Sequence, residues 1–320
     1  MAVTVAGAAG LTGCTLSDPT VDGSGRPVPG EGPTPGRPST PGSTPSSTDS
    51  RATADAIREL GLADLVRMIL SGPHRKDLSR RQGMLLTFAG QTHRSHATVL
   101  AAGAPPPKPA SIQGLSLADS LSFLRRREAA AAARYRRTSL AASGSEALRW
   151  ASMSLAAATL ATAAVSDKPP PTRKVTTPPP AALLSDTVAT QEMVRQLHAT
   201  IYGYQLGIGK LEVRSPQYNR AVRELQSHRE LRDRLIGWLI RRAADVPAAA
   251  AAYVPSVNPS SPGKAGQLIM KMNVALQPFA GLMIAAADDH DRAGALRTLT
   301  SVVTTAHGWG APLSAWPGYP

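Results

Sequence analysis

The chain holds a single cysteine in 320 residues, so it has no internal disulfide framework and no cysteine-based metal site; its stability has to come from packing. Aromatic residues make up 4% of it, with only three Phe. That scarcity, set beside abundant Ala, Leu and Arg, disfavours sheets and points to helices. Beyond the first residues, Pro, Arg or His interrupts each apolar run, which argues against a membrane span. There is no Gly-x-Ser-x-Gly nucleophile elbow. Gly203, Gly207 and Gly209 follow no strand, so there is no phosphate loop either. Neither Glu-x-x-His nor Asp-x-x-His occurs anywhere, and di-iron helix bundles are built from pairs of that motif.

The one cysteine stands in an informative place. Residues 1–13 are uncharged and mostly apolar, and Leu11-Thr12-Gly13-Cys14 closes them. The tetrapeptide resembles the lipobox of bacterial lipoproteins, in which the thiol receives a diacylglyceryl group and becomes the mature N-terminus. Two acyl chains suffice for stable anchoring where one is marginal. The expectation is a signal-peptide h-region and lipobox over 1–14, lipidation at Cys14, and a protein on the outer face of the cytoplasmic membrane. A secretory signal also needs a basic n-region. No Lys or Arg precedes Cys14, so the true start is expected upstream of Met1. In residues 15–50, 27 of 36 are Pro, Gly, Ser or Thr, too few apolar groups to offset the entropy of ordering. This reads as a disordered tether, partly stiffened by proline.

The net charge of +13 is uneven. Residues 51–181 carry 19 Lys/Arg against 8 Asp/Glu, whereas residues 182–320 carry 14 against 10. Held near a membrane, the basic 51–181 region would meet anionic lipid or envelope polymer. No nucleic-acid-binding motif accompanies the charge, and nucleic acid is not an expected partner. A protein partner is expected, of unknown kind.

Proline punctuates what remains. Ala104-Pro105-Pro106-Pro107-Lys108-Pro109 is a rigid connector, and residues 168–181 form a Pro-rich linker between a basic helical region, 51–167, and a second unit, 182–320. In the first, helical patterns lie at about 52–71, 77–103, 115–142 and 145–165. In the second, four amphipathic helices are predicted: 183–209, one from Pro216, one from Ser261-Pro262 with a kink at Pro278, and one after Asp288-Asp289-His290-Asp291. Four helices of this size, with one longer connection, read as a four-helix bundle.

Residues 190–320 resemble the ferritin-like domain of unknown function found in actinobacterial lipoproteins. Leu197-His198-Ala199 leading to Tyr202-Gly203-Tyr204 matches, as do His228-Arg229-Glu230-Leu231-Arg232-Asp233, Tyr253-Val254-Pro255 and the closing Trp309-Gly310 and Trp316-Pro317-Gly318. The resemblance implies an all-α fold with a ferritin-like four-helix bundle at the C-terminus, and no established activity. The family commonly places an acidic residue before the histidine of its first helix, whereas Leu197 precedes His198 here.

The third helix of this unit has no carboxylate from 264 to 287, so one wall of any di-metal centre would be apolar. His198, Gln205, Glu224 and His228 are the candidates for a polar site in the bundle core. Glu192, His198, Glu224 and His228 are the alternative, a non-standard metal site serving an oxidoreductase. Gln91-Thr92-His93 loosely echoes Gln196-Leu197-His198, a trace of duplication. The leading expectation is an anchored envelope lipoprotein acting as a binding or structural module, without catalytic residues or cofactor.

Overall fold

The structure, a computed structural model, describes residues 47–101, 105 and 114–320. The lipobox, nearly all of the tether and most of the 104–109 connector lie outside the described residues. Among the described residues eight helices carry the fold: α1 (Ser47–Ser71), α2 (Arg80–Leu100), α3 (Leu117–Ala141), α4 (Gly144–Ala163), α5 (Asp186–Ile208), α6 (Pro216–Arg241), α7 (Pro262–Ala286) and α8 (Arg292–Gly308). A 3-10 turn, Pro73–Asp77, links the first two. Among the described residues the only extended pairing is a parallel bridge between Thr172 and Leu313. The chain is all-α, as its composition predicts.

Local chemistry sets the helix ends. Ser79 begins α2 with a capping box, its hydroxyl accepting from Gln82 N while the Gln82 side chain accepts from Ser79 N. Ser116, Ser185, Ser215 and Ser261 cap α3, α5, α6 and α7 through their side chains. Pro216 and Pro262 take first-turn positions, where a missing N–H costs nothing. One boundary differs from the sequence reading. Helix α1 starts at Ser47 and so takes in the last four residues assigned to the tether; Ser47, Thr48 and Asp49 are residue types that suit a helix start. Pro278 lies within α7, which continues through it.

The helices pack as two groups of four. In the first, Leu65, Leu86, Leu124 and Trp150 share one core. In the second, Leu197, Leu276, Leu299 and Val303 form another, continued by Ile201, Tyr204, Leu225 and Ile269. Helix α4 serves both: Trp150, Met153 and Leu160 belong to the first core, while Leu148, Ala151 and Leu155 belong to the second. Helix α7 is long and apolar enough, by length and composition only, to cross a membrane, although Pro278 interrupts its apolar run as the sequence reading expects. Half of that stretch is buried inside the fold, where α7 packs on α4, α5 and α8.

The last residues cross back. Leu313 N donates to Pro171 O at 2.7 Å and Arg173 N to Leu313 O at 2.9 Å, so the Pro-rich linker is docked against the C-terminal segment. Trp316 then enters the first core.

Candidate functional site

The second helical group has a polar centre built from its first three helices. Tyr204 on α5 is fully buried and donates to Glu224 Oε2 on α6 at 2.9 Å. Its hydroxyl accepts from Asn273 Nδ2 on α7 at 2.6 Å. Trp309 Nε1 also donates to Glu224 Oε2, at 2.6 Å, and Arg220 Nε donates to Oε1 at 2.7 Å. Both oxygens of Glu224 are therefore occupied. Arg220 goes on to bind the carbonyls of Thr305 and Gly308 and lies over the Trp309 ring, so it neutralises the end of α8 as well as Glu224.

His228, one turn past Glu224, packs edge-on against the Tyr204 ring with centroids 4.9 Å apart. Burial pushes its pKa down to about 4, against the opposing pull of Glu224 and Asn273. It is therefore neutral at pH 7. Neither His228 Nε2 nor Asn273 Oδ1 makes a hydrogen bond of standard geometry, although both atoms are buried. His228 lines a groove of about 490 Å³ between α6 and α8. Leu231, Leu235, Met283 and Val302 give the groove an apolar floor, and Arg234 and Arg297 stand at its sides.

The structure brings together two of the four residues expected in a polar site here, Glu224 and His228. Gln205 is exposed on α5. His198 is half-buried, and the Pro247 backbone that it bonds lies in the connection after α6. Burial lowers its pKa. Tyr202 stacks on Tyr253 of the same connection, and Gln191 bonds the Asp245 carbonyl, so this face of α5 holds the α6–α7 link in place. Glu192 pairs with Arg195 on the surface of α5. The alternative metal set of Glu192, His198, Glu224 and His228 is not assembled in this geometry: Glu192 pairs with Arg195 on the surface, His198 faces the α6–α7 link, and Glu224 is tied to Tyr204, Trp309 and Arg220. These residues do not fit a di-metal centre.

The first helical group has a second polar centre, which sequence reasoning missed apart from the echo at His93. Glu59 on α1, His93 and His96 on α2 and Glu128 on α3 are each at most 1% exposed. His93 Nδ1 and His96 Nδ1 both lie 2.9 Å from one oxygen, Glu59 Oε2. His93 Nε2 meets Glu128 Oε1 at 2.7 Å, and His96 Nε2 meets the Ala315 carbonyl at 2.9 Å. The Tyr135 hydroxyl donates to Glu59 Oε1. Asp55, one turn before Glu59, is also fully buried; its Oδ1 pairs with Arg58 at 2.6 Å, and Arg134 lies 3.9 Å away.

Burial alone would raise the Glu59 pKa, but His93 and His96 outweigh it and hold the carboxyl well below the usual range. Burial would lower His93, but Glu128 and Glu59 outweigh that and raise it to about 10. Burial and the Glu59 carboxylate push the Tyr135 phenol up. The signal available in the sequence was His-x-x-His on α2 together with carboxylates on the core faces of α1 and α3. A search for Glu-x-x-His passes over it. His93 lies on the second helix of its group, as His228 does of the other, whereas His198 lies on a first helix.

Residues 189–320 match a family described as a domain of unknown function (DUF4439). The match contains every member of the His228 network and none of the charged side chains of the Glu59 centre, of which it holds only the Ala315 carbonyl and the Trp316 cover. Among solved structures, the chain is similar to a conserved hypothetical protein from Mycobacterium tuberculosis at 28% identity, over 39% of this chain and 93% of that one, with a TM-score of 0.36. No curated protein matches it.

Proposed function

We propose that the chain is an exported, lipid-anchored protein of the cell envelope whose α5–α8 half is a ferritin-like bundle working as a binding module. The observation that carries the binding role is the α6–α8 groove. Its volume of about 490 Å³ falls within the usual range for small-molecule sites. An apolar floor of Leu231, Leu235, Met283 and Val302 leads to a buried, neutral histidine whose Nε2, like Asn273 Oδ1 beside it, makes no hydrogen bond of standard geometry. That combination suits a small amphipathic molecule, its apolar body on the leucines and one uncharged polar group at His228. The lipid anchor rests on Leu11–Cys14 and the tether behind it. Arg125, Arg126, Arg127, Arg136 and Arg137 are exposed on α3, a basic face suited to anionic lipid or envelope polymer near the anchor.

The test uses a fluorescent uncharged probe with an apolar body and one N–H group, N-phenyl-1-naphthylamine, titrated into the purified full chain. The expected result is saturable binding at one site, abolished by Leu235→Trp with the circular dichroism spectrum unchanged. Binding that survives Leu235→Trp would count against the groove. In cells, incorporation of an alkyne-tagged palmitate that Cys14→Ser removes is expected; equal labelling of both would sink the anchor.

A further inference from the structure

We propose that Glu59, His93 and His96 form a mononuclear site for a divalent first-row transition-metal ion, buried in the first helical group and outside the matched domain. The three ligand atoms, Glu59 Oε2 and the two Nδ1 atoms, lie within 4.8 Å of one another, and both nitrogens converge on the same oxygen at 2.9 Å. Ligands about 2.1 Å from one ion, at bond angles between octahedral and tetrahedral, are themselves about 3.0–3.4 Å apart. The two N–O separations need only a slight opening around an ion.

The outer contacts fix which atoms face inward. A backbone carbonyl only accepts hydrogen bonds, so His96 Nε2, bonded to Ala315 O, carries the hydrogen. In a neutral ring that leaves the lone pair on Nδ1, aimed at Glu59 Oε2. His93 is held in the same way, its Nε2 against the Glu128 carboxylate. With both rings neutral, two lone pairs and a carboxylate oxygen would meet at 2.9 Å in a fully buried space, an arrangement that positive charge between them relieves. One dication supplies that charge with two neutral histidines. Carboxylate–histidine and carbonyl–histidine contacts are the usual outer support of metal-binding imidazoles, and both are present. Tyr135 steadies the remaining oxygen of Glu59.

Two histidines and one carboxylate are a donor set for iron, zinc, nickel or copper rather than magnesium or calcium, which prefer all-oxygen surroundings. Three protein ligands leave coordination positions open. The set also departs from a di-iron centre: both histidines come from one helix, and α4 contributes no member of the network. Trp316 lies edge-on to His96 with centroids 4.5 Å apart and bonds Ser95 through Nε1, so the C-terminal segment roofs the site. An ion would enter during folding or when that segment lifts.

The deciding experiment grows the full chain in medium supplied with Co²⁺, whose visible absorption reports its ligands, and measures metal per chain by mass spectrometry. The expected result is close to one ion per chain, with d–d bands that shift or vanish in His93→Ala, His96→Ala and Glu59→Gln, and at least a tenfold loss of retained metal. Because buried variants can fail to fold, Glu128→Gln is the second arm. It leaves all three ligands in place, so it should still bind one ion but lose it to a chelator 10–100 times more readily. Absence of metal from the wild-type chain would overturn the proposal, with protons then filling the space. One ion kept unchanged in folded His93→Ala or Glu59→Gln would overturn it too, placing the metal on surface groups such as His290.

Discussion

His228 and His93 have the same ring in opposite surroundings. His228 is buried beside Tyr204, with a single carboxylate nearby that Arg220 already neutralises, and stays uncharged. His93 is buried between two carboxylates and is held protonated in the absence of metal. The stability consequence of His228 has a definite sign. In the unfolded chain its pKa is near 6.5, and in the fold about 4. Between these values the unfolded state binds a proton that the folded state refuses, so stability falls as pH drops through that window and is untouched by this group above it. The expected loss from pH 6.5 to 4 is roughly 3 kcal/mol. Chemical denaturation of wild type and His228→Gln at several pH values should show that the variant lacks this part of the slope; parallel profiles would refute the assignment.

At the scale of the element, the helix boundaries were largely legible because they depend on neighbours in sequence. Serine caps and first-turn prolines mark α6 and α7 where the pattern placed them. Close approaches between elements were not legible. Gly203 and Gly281 look alike in the sequence and differ in what surrounds them. A Cβ on Gly203 would stand 2.7 Å from Met272 Sδ, the flexible part of a side chain that can move. A Cβ on Gly281 would stand 2.0 Å from the backbone oxygen of Gly318, which cannot move unless the C-terminal segment is displaced; Gly318 itself has φ +93. Gly203→Ala is accordingly expected to cost about 1 kcal/mol and Gly281→Ala about 3 kcal/mol or more by urea denaturation. Equal costs would mean that the segment is not packed on α7 as described.

For the whole molecule, three features bind the two helical groups into one folding unit. Helix α4 belongs to both cores. Arg292, only 2% exposed at the start of α8, donates to the Leu140 carbonyl at the end of α3 and to the Ala287 carbonyl, and pairs with Asp289. The C-terminal segment runs from α8 to Trp316 over His96. Calorimetry is therefore expected to show a single transition. Trp316→Ala, emptying a site in the first core, should lower it by about 3 kcal/mol without splitting it. Two separated transitions in the wild type would show that the groups fold independently.

What the sequence by itself determined is what depends on composition and near neighbours: an all-helical chain, the order and ends of its helices, and Glu224 and His228 on one face of α6. Spacing within a helix decides that, because residues one turn apart share a face. Tertiary structure alone decided which helices face one another. It joined His93 to Glu59 and to Glu128 across separations of 34 and 35 residues, and His96 to Ala315 across 219. It also turned His198 towards the α6–α7 link. Periodicity fixes a side chain's position around its own helix but not the rotation of that helix against its neighbours, and a buried polar centre drawn from three helices exists only once that rotation is set.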